Sequence, residues 1–168
     1  MTNFNNIIKE YCIQIPIIQR DYAQGRTDIK TAKIRNDFLT AIFDVLQERV
    51  NNASTNGLEL DFIYGFSTSS EGKTIFAPID GQQRLTTLWL LLWYISVKEK
   101  IHKEEKQSLA NLKYETRHST TVFCEQLIQF FPAFNRKDIE KKIKNQSWYF
   151  EAWNFDPSIK AMLVMLND

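Results

Sequence analysis

Hydrophobic and polar positions along the chain switch between a period of two and a period of three to four, and the switches predict the elements. Residues 3–11 read as a short helix and Cys12–Ile18 (CIQIPII) as a strand. Pro16 cannot donate to a ladder, so this strand is expected to lie at an edge or to end there. A polar turn, RDYAQGR (20–26), follows. Asp28 is placed to cap a helix over 28–50, in which Ile34, Phe38, Ala41, Ile42, Val45 and Leu46 repeat at helical spacing and predict one buried face. The breaker cluster NNASTNG (51–57) ends it. Leu58–Phe66 and Thr74–Ile79 read as two strands of a hairpin, with STSSEGK (67–73) at its tip.

The segment from 82 to 100 is apolar nearly all round in its middle and predicts a central core helix. A polar stretch (98–111), a short strand (LKYET, 112–116) and a helix over 119–131 come next, the helix with Phe123, Leu127, Phe130 and Phe131 at helical spacing. Residues 136–145 form a charged helix, and 147–155 are dense in aromatics. Asp156-Pro157 is a cap followed by proline at the first helical position, and the last helix places Ile159, Met162, Leu163 and Leu166 on one face. That helix ends abruptly after Leu166, which leads us to expect more protein downstream. The fold class expected is α+β: a small mixed sheet, a core over residues 1–100 and a helical extension over 101–168.

Composition narrows the class. With 43% hydrophobic and 24% charged residues, 5 Gly and 4 Pro, the chain is neither collagen-like nor disordered. A net charge of +1 gives no global field for nucleic acid or acidic membranes, so any such binding needs a local patch. Cys12 and Cys124 form no CxxC pair, and only His102 and His118 could join them. This excludes a cysteine-rich zinc site and fits a reducing, cytoplasmic setting. The longest apolar run, Leu88–Ile95, falls well short of the roughly 20 residues a membrane span needs, so no membrane association is expected.

Ile79-Asp80-Gly81-Gln82-Gln83-Arg84-Leu85 lies between a strand and a core helix. Free backbone N–H groups and the positive dipole end of such a helix attract anions. Arg84 adds a planar fork suited to phosphate, and Asp80 is a candidate metal ligand or a partner for Arg84. The plain structural alternative is a capped helix, with Asp80 as N-cap and Gln83 at the third helical position. Gln19 and Arg20, at the end of the first strand, could bring a second cation to the same anion. Gly72-Lys73-Thr74 ends like a P-loop, but position 67 is Ser and a strand is expected to follow. Asp61, Glu71 and Lys73 echo a metal nuclease pattern, although a hairpin tip fixes metal geometry poorly. Tyr114-Glu115-Thr116-Arg117-His118-Ser119 reads as a capping segment.

Taken together, IPIIQRDY (15–22) and IDGQQRLTTLWLLL (79–92) resemble the hallmark motifs of the N-terminal domain of GmrSD-type, modification-dependent restriction systems, in the ParB/sulfiredoxin-like superfamily. LKYETRHSTTVFCEQL and SWYFEAWNFDPSIKAMLVML extend the resemblance over nearly the whole chain. The resemblance implies a nucleoside triphosphate site with Mg²⁺. Gln19, Arg20, Gly81, Gln82, Gln83 and Arg84 would bind the nucleotide, Asp80 would hold the metal, and Asp80, Gln83 and Arg84 would act in hydrolysis. It also implies a phage-defence role, DNA (in some cases modified) as a partner, and an HNH nuclease as a downstream domain or separate subunit. No HNH pattern is present in this chain. A competing expectation is a non-enzymatic DNA sensor, in which the arginines grip backbone phosphate and the 147–155 aromatics read a modified base.

Overall fold

A computed structural model describes residues 3–52, 57–70, 72–133 and 138–168. A four-stranded mixed sheet carries the architecture. Its strands are β1 (Tyr11–Ile15), β2 (Gly65–Ser70), β3 (Lys73–Pro78) and β4 (Leu112–Tyr114), in the order β2-β3-β1-β4. β1 runs parallel to both β3 and β4, and β2 pairs antiparallel with β3. The helices are α1 (Phe4–Glu10), α2 (Ile29–Asn51), α3 (Gln82–Lys98), α4 (His102–Leu109), α5 (His118–Gln129), α6 (Ile139–Lys144) and α7 (Pro157–Asn167), with a 3-10 turn over Glu151–Phe155. The expected α+β class, mixed sheet and buried central helix are all present.

α3 is that central helix. Leu85, Trp89, Leu90 and Trp93 are almost completely buried. Both indoles also reach a polar partner, as buried Trp requires. Trp89 Nε1 donates to the Leu109 carbonyl (2.9 Å) and Trp93 Nε1 to the Leu127 carbonyl (2.8 Å), so α3 fixes the ends of α4 and α5. Asp156 caps α7 by accepting from the Ser158 and Ile159 amides (2.9 and 3.0 Å), and Pro157 opens the helix, as the sequence predicts.

Several expectations need correction. The first strand is not one of them: β1 ends at Ile15, just before Pro16, as one of the two expected outcomes had it, and it lies inside the sheet. The hairpin is shifted: the serine-rich residues 67–70 are strand, whereas 58–64 are irregular. An exposed edge strand can satisfy its free backbone groups with water, so polar side chains suit it. The ladder ends where the Tyr64 carbonyl accepts from both Ile79 N (2.9 Å) and Asp80 N (3.1 Å). The polar stretch 98–111 contains α4. The predicted buried face of α2 is only partly buried: Phe38, Ala41, Ile42 and Val45 are half-buried, Ile34 and Leu46 are at least half exposed, and Arg35 is the helix's one fully buried residue. The pattern specified a helix, but the described chain covers that face only in part.

Most of the 147–155 aromatics pack, whereas Phe150 and Phe155 are exposed. Trp153 is buried, with edge-to-face contacts to Phe123 and Tyr149, and Trp148 packs on Phe130. Among the described residues, no helix is long and apolar enough to cross a membrane.

Candidate functional site: a polar cleft at the N-terminus of the central helix

β3 delivers the chain through Ile79 and Asp80 to Gly81, which adopts φ 82° and serves as the N-cap of α3. Two constraints meet at Gly81. Its left-handed backbone disfavours any side chain, and a Cβ there would come within 2.7 Å of Ile63 Cγ1. The capping-box alternative is therefore not realised: the cap is Gly81, not Asp80, and it has no side chain to bond the helix N-terminus. The first-turn amides of α3 thus lack a side-chain cap among the described residues, the condition under which a helix end takes an anion.

The second wall is the segment 19–26, which is anchored from every side. Gln19 Nε2 donates to the Pro78 carbonyl (3.2 Å). Gln83 accepts from Ala23 N (2.8 Å) and donates to the Asp21 carbonyl (3.1 Å), so both ends of its amide hold this loop. The buried Tyr22 hydroxyl meets the Thr87 hydroxyl (2.8 Å), which also bonds the Gln24 amide oxygen. Tyr22 N donates to Ser158 Oγ (3.0 Å). Gly25 lies so close to α7 that a Cβ would fall 1.7 Å from the Ala161 carbonyl oxygen. Arg35 donates to the Gln24 and Arg26 carbonyls (both 3.0 Å) and pairs with Asp168. Burial pushes the Tyr22 phenol well up, with Thr87 opposing, so it stays a neutral hydroxyl.

Arg117 completes the anchoring. It makes a bidentate pair with Asp21 (2.9 and 3.0 Å), which holds the Asp21 carboxyl below the usual carboxylate range. Reading 114–119 as a capping segment is thus corrected at Arg117. This residue stands at the N-cap of α5, makes no side-chain cap bond and spans to Asp21 instead. Arg20 differs from its neighbours in the loop: it is exposed, and its guanidinium has no partner among the described residues.

The two walls enclose a cleft of about 640 Å³ lined by Gln19, Arg20, Gln24, Asp61 and residues 79–84. All the sequence-predicted site residues, Gln19, Arg20, Asp80, Gly81, Gln82, Gln83 and Arg84, therefore line one cavity. Arg84 Nη2 donates to the Phe62 carbonyl (2.8 Å) and lies 3.5 Å from Asp80 Oδ2, while its Nη1 is 3.8 Å from Asp61 Oδ2. Gln82 is 5% exposed, and its amide oxygen has no hydrogen-bond partner among the described residues.

The donor set fits a magnesium–phosphate ligand. Mg²⁺ takes one or two carboxylates, keeps several waters and completes its shell with phosphate oxygens. Asp80 and Asp61 are exposed carboxylates beside a phosphate-type cation. No group of three or more His, Cys, Asp or Glu is gathered among the described residues.

The other candidates separate from this cleft. Lys73 opens β3, whose five-residue rise to Pro78 covers about 16 Å, whereas Asp61 sits beyond the Pro78 end at Arg84. Glu71 lies outside the described residues. The Gly72-Lys73-Thr74 triplet runs into a strand, not a P-loop helix. Sequence reasoning missed Phe62, Gln24 and the Asp21–Arg117 link. Asp21 and Arg117 sit inside quoted motifs, but nothing in the sequence shows that they meet 96 residues apart.

Comparison with protein families places the chain. The model of the GmrSD restriction endonuclease N-terminal domain matches residues 2–168. The chain belongs to this family. As a GmrSD N-terminal domain it is a component of a restriction system. Comparison with curated proteins and with solved structures gives no match. In this GmrSD domain the Asp-Gly-Gln-Gln-Arg sequence is the turn and first helical residues that close one wall of the cleft.

Proposed function

We propose that the cleft binds a nucleoside triphosphate with Mg²⁺ and hydrolyses it, and that this turnover regulates a DNA-cutting HNH nuclease domain or subunit. The observation that carries the reading is Arg20. Its side chain lacks a partner among the described residues although its loop is fixed on both flanks, and it shares a cleft with Arg84 and an uncapped helix N-terminus. Evolving phosphate charge is what two guanidinium groups and free amides neutralise, and phosphoryl transfer asks for little else beyond positioning.

Each residue then has a role. Arg20 and Arg84 bind phosphate oxygens, and Gly81 lets the chain approach them. Gln19 and Gln82 line the phosphate path, and the unpaired Gln82 oxygen supplies an acceptor for a ligand hydroxyl or bound water. Asp80 would hold Mg²⁺ and orient the attacking water; Asp61 would be available as a second carboxylate. Gln83 acts as a positioning residue, because its amide holds the Arg20 loop against α3. Bound Mg²⁺ supplies charge neutralisation across the phosphates. Water adds to the terminal phosphorus as the bridging oxygen departs on the nucleoside diphosphate, and the water's proton passes to the released phosphate or to solvent.

The test is thermal shift with each triphosphate, with and without Mg²⁺. A ligand of the folded state must raise the melting point. We expect a Mg²⁺-dependent rise that Arg20→Ala reduces, since a charge-assisted contact is worth about tenfold to a hundredfold in affinity. No rise with any triphosphate contradicts the reading. Binding of DNA that weakens steeply with salt and needs no metal would favour a DNA sensor instead.

A further inference from the structure

We infer that Phe62 is the platform on which the base of the bound nucleotide stacks, so that this residue, not the phosphate motif, determines preference for a nucleoside triphosphate over bare polyphosphate. The inference rests on the reading of the cleft as a phosphate site.

Contacts at four successive residues hold the segment around Phe62. Its carbonyl accepts from Arg84 Nη2 at 2.8 Å. Asp61, before it, lies beside Arg84 Nη1 at 3.8 Å. Ile63, after it, fills the space over Gly81 that a Cβ would take. The Tyr64 carbonyl accepts from the Ile79 and Asp80 amides. The segment is thus held along its length by the residues of the phosphate motif. Yet the Phe62 ring is 87% exposed. An irregular segment pinned by its backbone that presents a large apolar ring to water gains nothing for the fold from that ring. Phe62 is outside the cleft lining, but it follows the lining residue Asp61 and its carbonyl holds Arg84, so it stands at the rim beside a ligand seated there.

Chemistry selects the ligand class. Aromatic side chains stack on any nucleobase, and the contact depends little on which base is present. The phosphate tail at Arg84 and Arg20 sets the polarity of the ligand, tail inward and base at the rim. Tyr64 and Phe66 are also exposed further along the same segment, and the Tyr64 carbonyl accepts from the Asp80 amide, but among these it is Phe62 whose own carbonyl holds the Arg84 guanidinium; Phe150 and Phe155 belong to the 3-10 region, and Phe43 faces the far side of α3.

The experiment is titration calorimetry of the purified chain with Mg²⁺ and each of the four ribonucleoside triphosphates, beside Mg²⁺ with inorganic tripolyphosphate. The variants are Phe62→Ala, Phe62→Trp and Arg20→Ala. We expect the wild type to bind nucleotide more tightly than tripolyphosphate. Phe62→Ala should weaken nucleotide about fivefold to a hundredfold, leave tripolyphosphate unchanged, and be rescued by Phe62→Trp. Arg20→Ala should weaken both ligands. Equal affinity of the wild type for both ligands, or nucleotide affinity that survives Phe62→Ala, overturns the platform and leaves the phosphate site standing. A single-stranded oligonucleotide that needs Phe62 while the triphosphates do not also overturns it. Failure of every polyphosphate to bind removes the phosphate site and the platform together.

Discussion

Two crevices border α3, and they are built by opposite means. The polar cleft at its N-terminus is closed by hydrogen bonds and by two glycines whose neighbours leave no room for a Cβ. The apolar groove along its flank, about 470 Å³ between α2, α3 and α7, is lined by Leu39, Ile42, Phe43, Leu46, Leu90 and Tyr94, among others. Along the groove the apolar face of α2 is only half-buried. A buried guanidinium, Arg35, pins the helix to the 24–26 carbonyls and to Asp168. The contrast separates two kinds of order. Directional contacts place the cleft's atoms individually, whereas apolar periodicity left the groove's side chains without a cover.

The largest effect that sharpens this contrast is expected at Gly25. Gly25→Ala sets a methyl against the backbone of α7 and should cost about 3 kcal/mol or more, since overpacking against backbone cannot relax through a rotamer. Urea denaturation measures it. Arg35→Ala comes next. It leaves two carbonyls and a carboxylate without their donor and should cost about 2–4 kcal/mol, while Arg35→Lys recovers less than half because it lacks the fork. A loss under about 0.5 kcal/mol for Arg35→Ala would mean that α2 is held by its apolar face after all.

Arg117→Ala should cost at most about 1 kcal/mol, because the pair with Asp21 is half exposed. Its signature is in pH. The Asp21 carboxyl is held down chiefly by Arg117, so this contribution is complete above the unfolded carboxylate value near about pH 4 and is lost as pH falls through the lower folded value. Stability curves of wild type and Arg117→Ala should therefore differ at pH 6 and converge on acidification toward pH 3. Curves that stay parallel would assign the stabilisation to another source. The smallest effect belongs to the groove. Phe43 is 61% exposed, so Phe43→Ser should change stability by no more than about 0.5 kcal/mol and leave nucleotide binding untouched.

What the sequence reveals follows the same division. α3, α7 and the caps at Asp28 and Asp156 were legible because local chemistry decides them. So was the gathering of Gln19 and Arg20 with residues 79–84, since the strand ends that carry them are neighbours in a parallel pair. The serine-rich strand β2 was not legible, because pairing and solvation of an edge, not apolar alternation, make it a strand. Burial of α2 was misread because periodicity reports a face and says nothing of what covers it. The Asp21–Arg117 pair and the pinned segment 61–64 join residues far apart in sequence, and no local pattern encodes such contacts.

The most direct test of the central claim is calorimetric titration of Mg²⁺ and nucleoside triphosphate into wild type and Arg20→Ala. Arg20 is exposed and makes no protein contact through its guanidinium among the described residues, so its removal leaves the fold alone. The account predicts Mg²⁺-dependent binding that weakens at least about tenfold in the variant at an unchanged melting temperature. Undiminished binding by Arg20→Ala, or no binding of any triphosphate by the wild type, would contradict it.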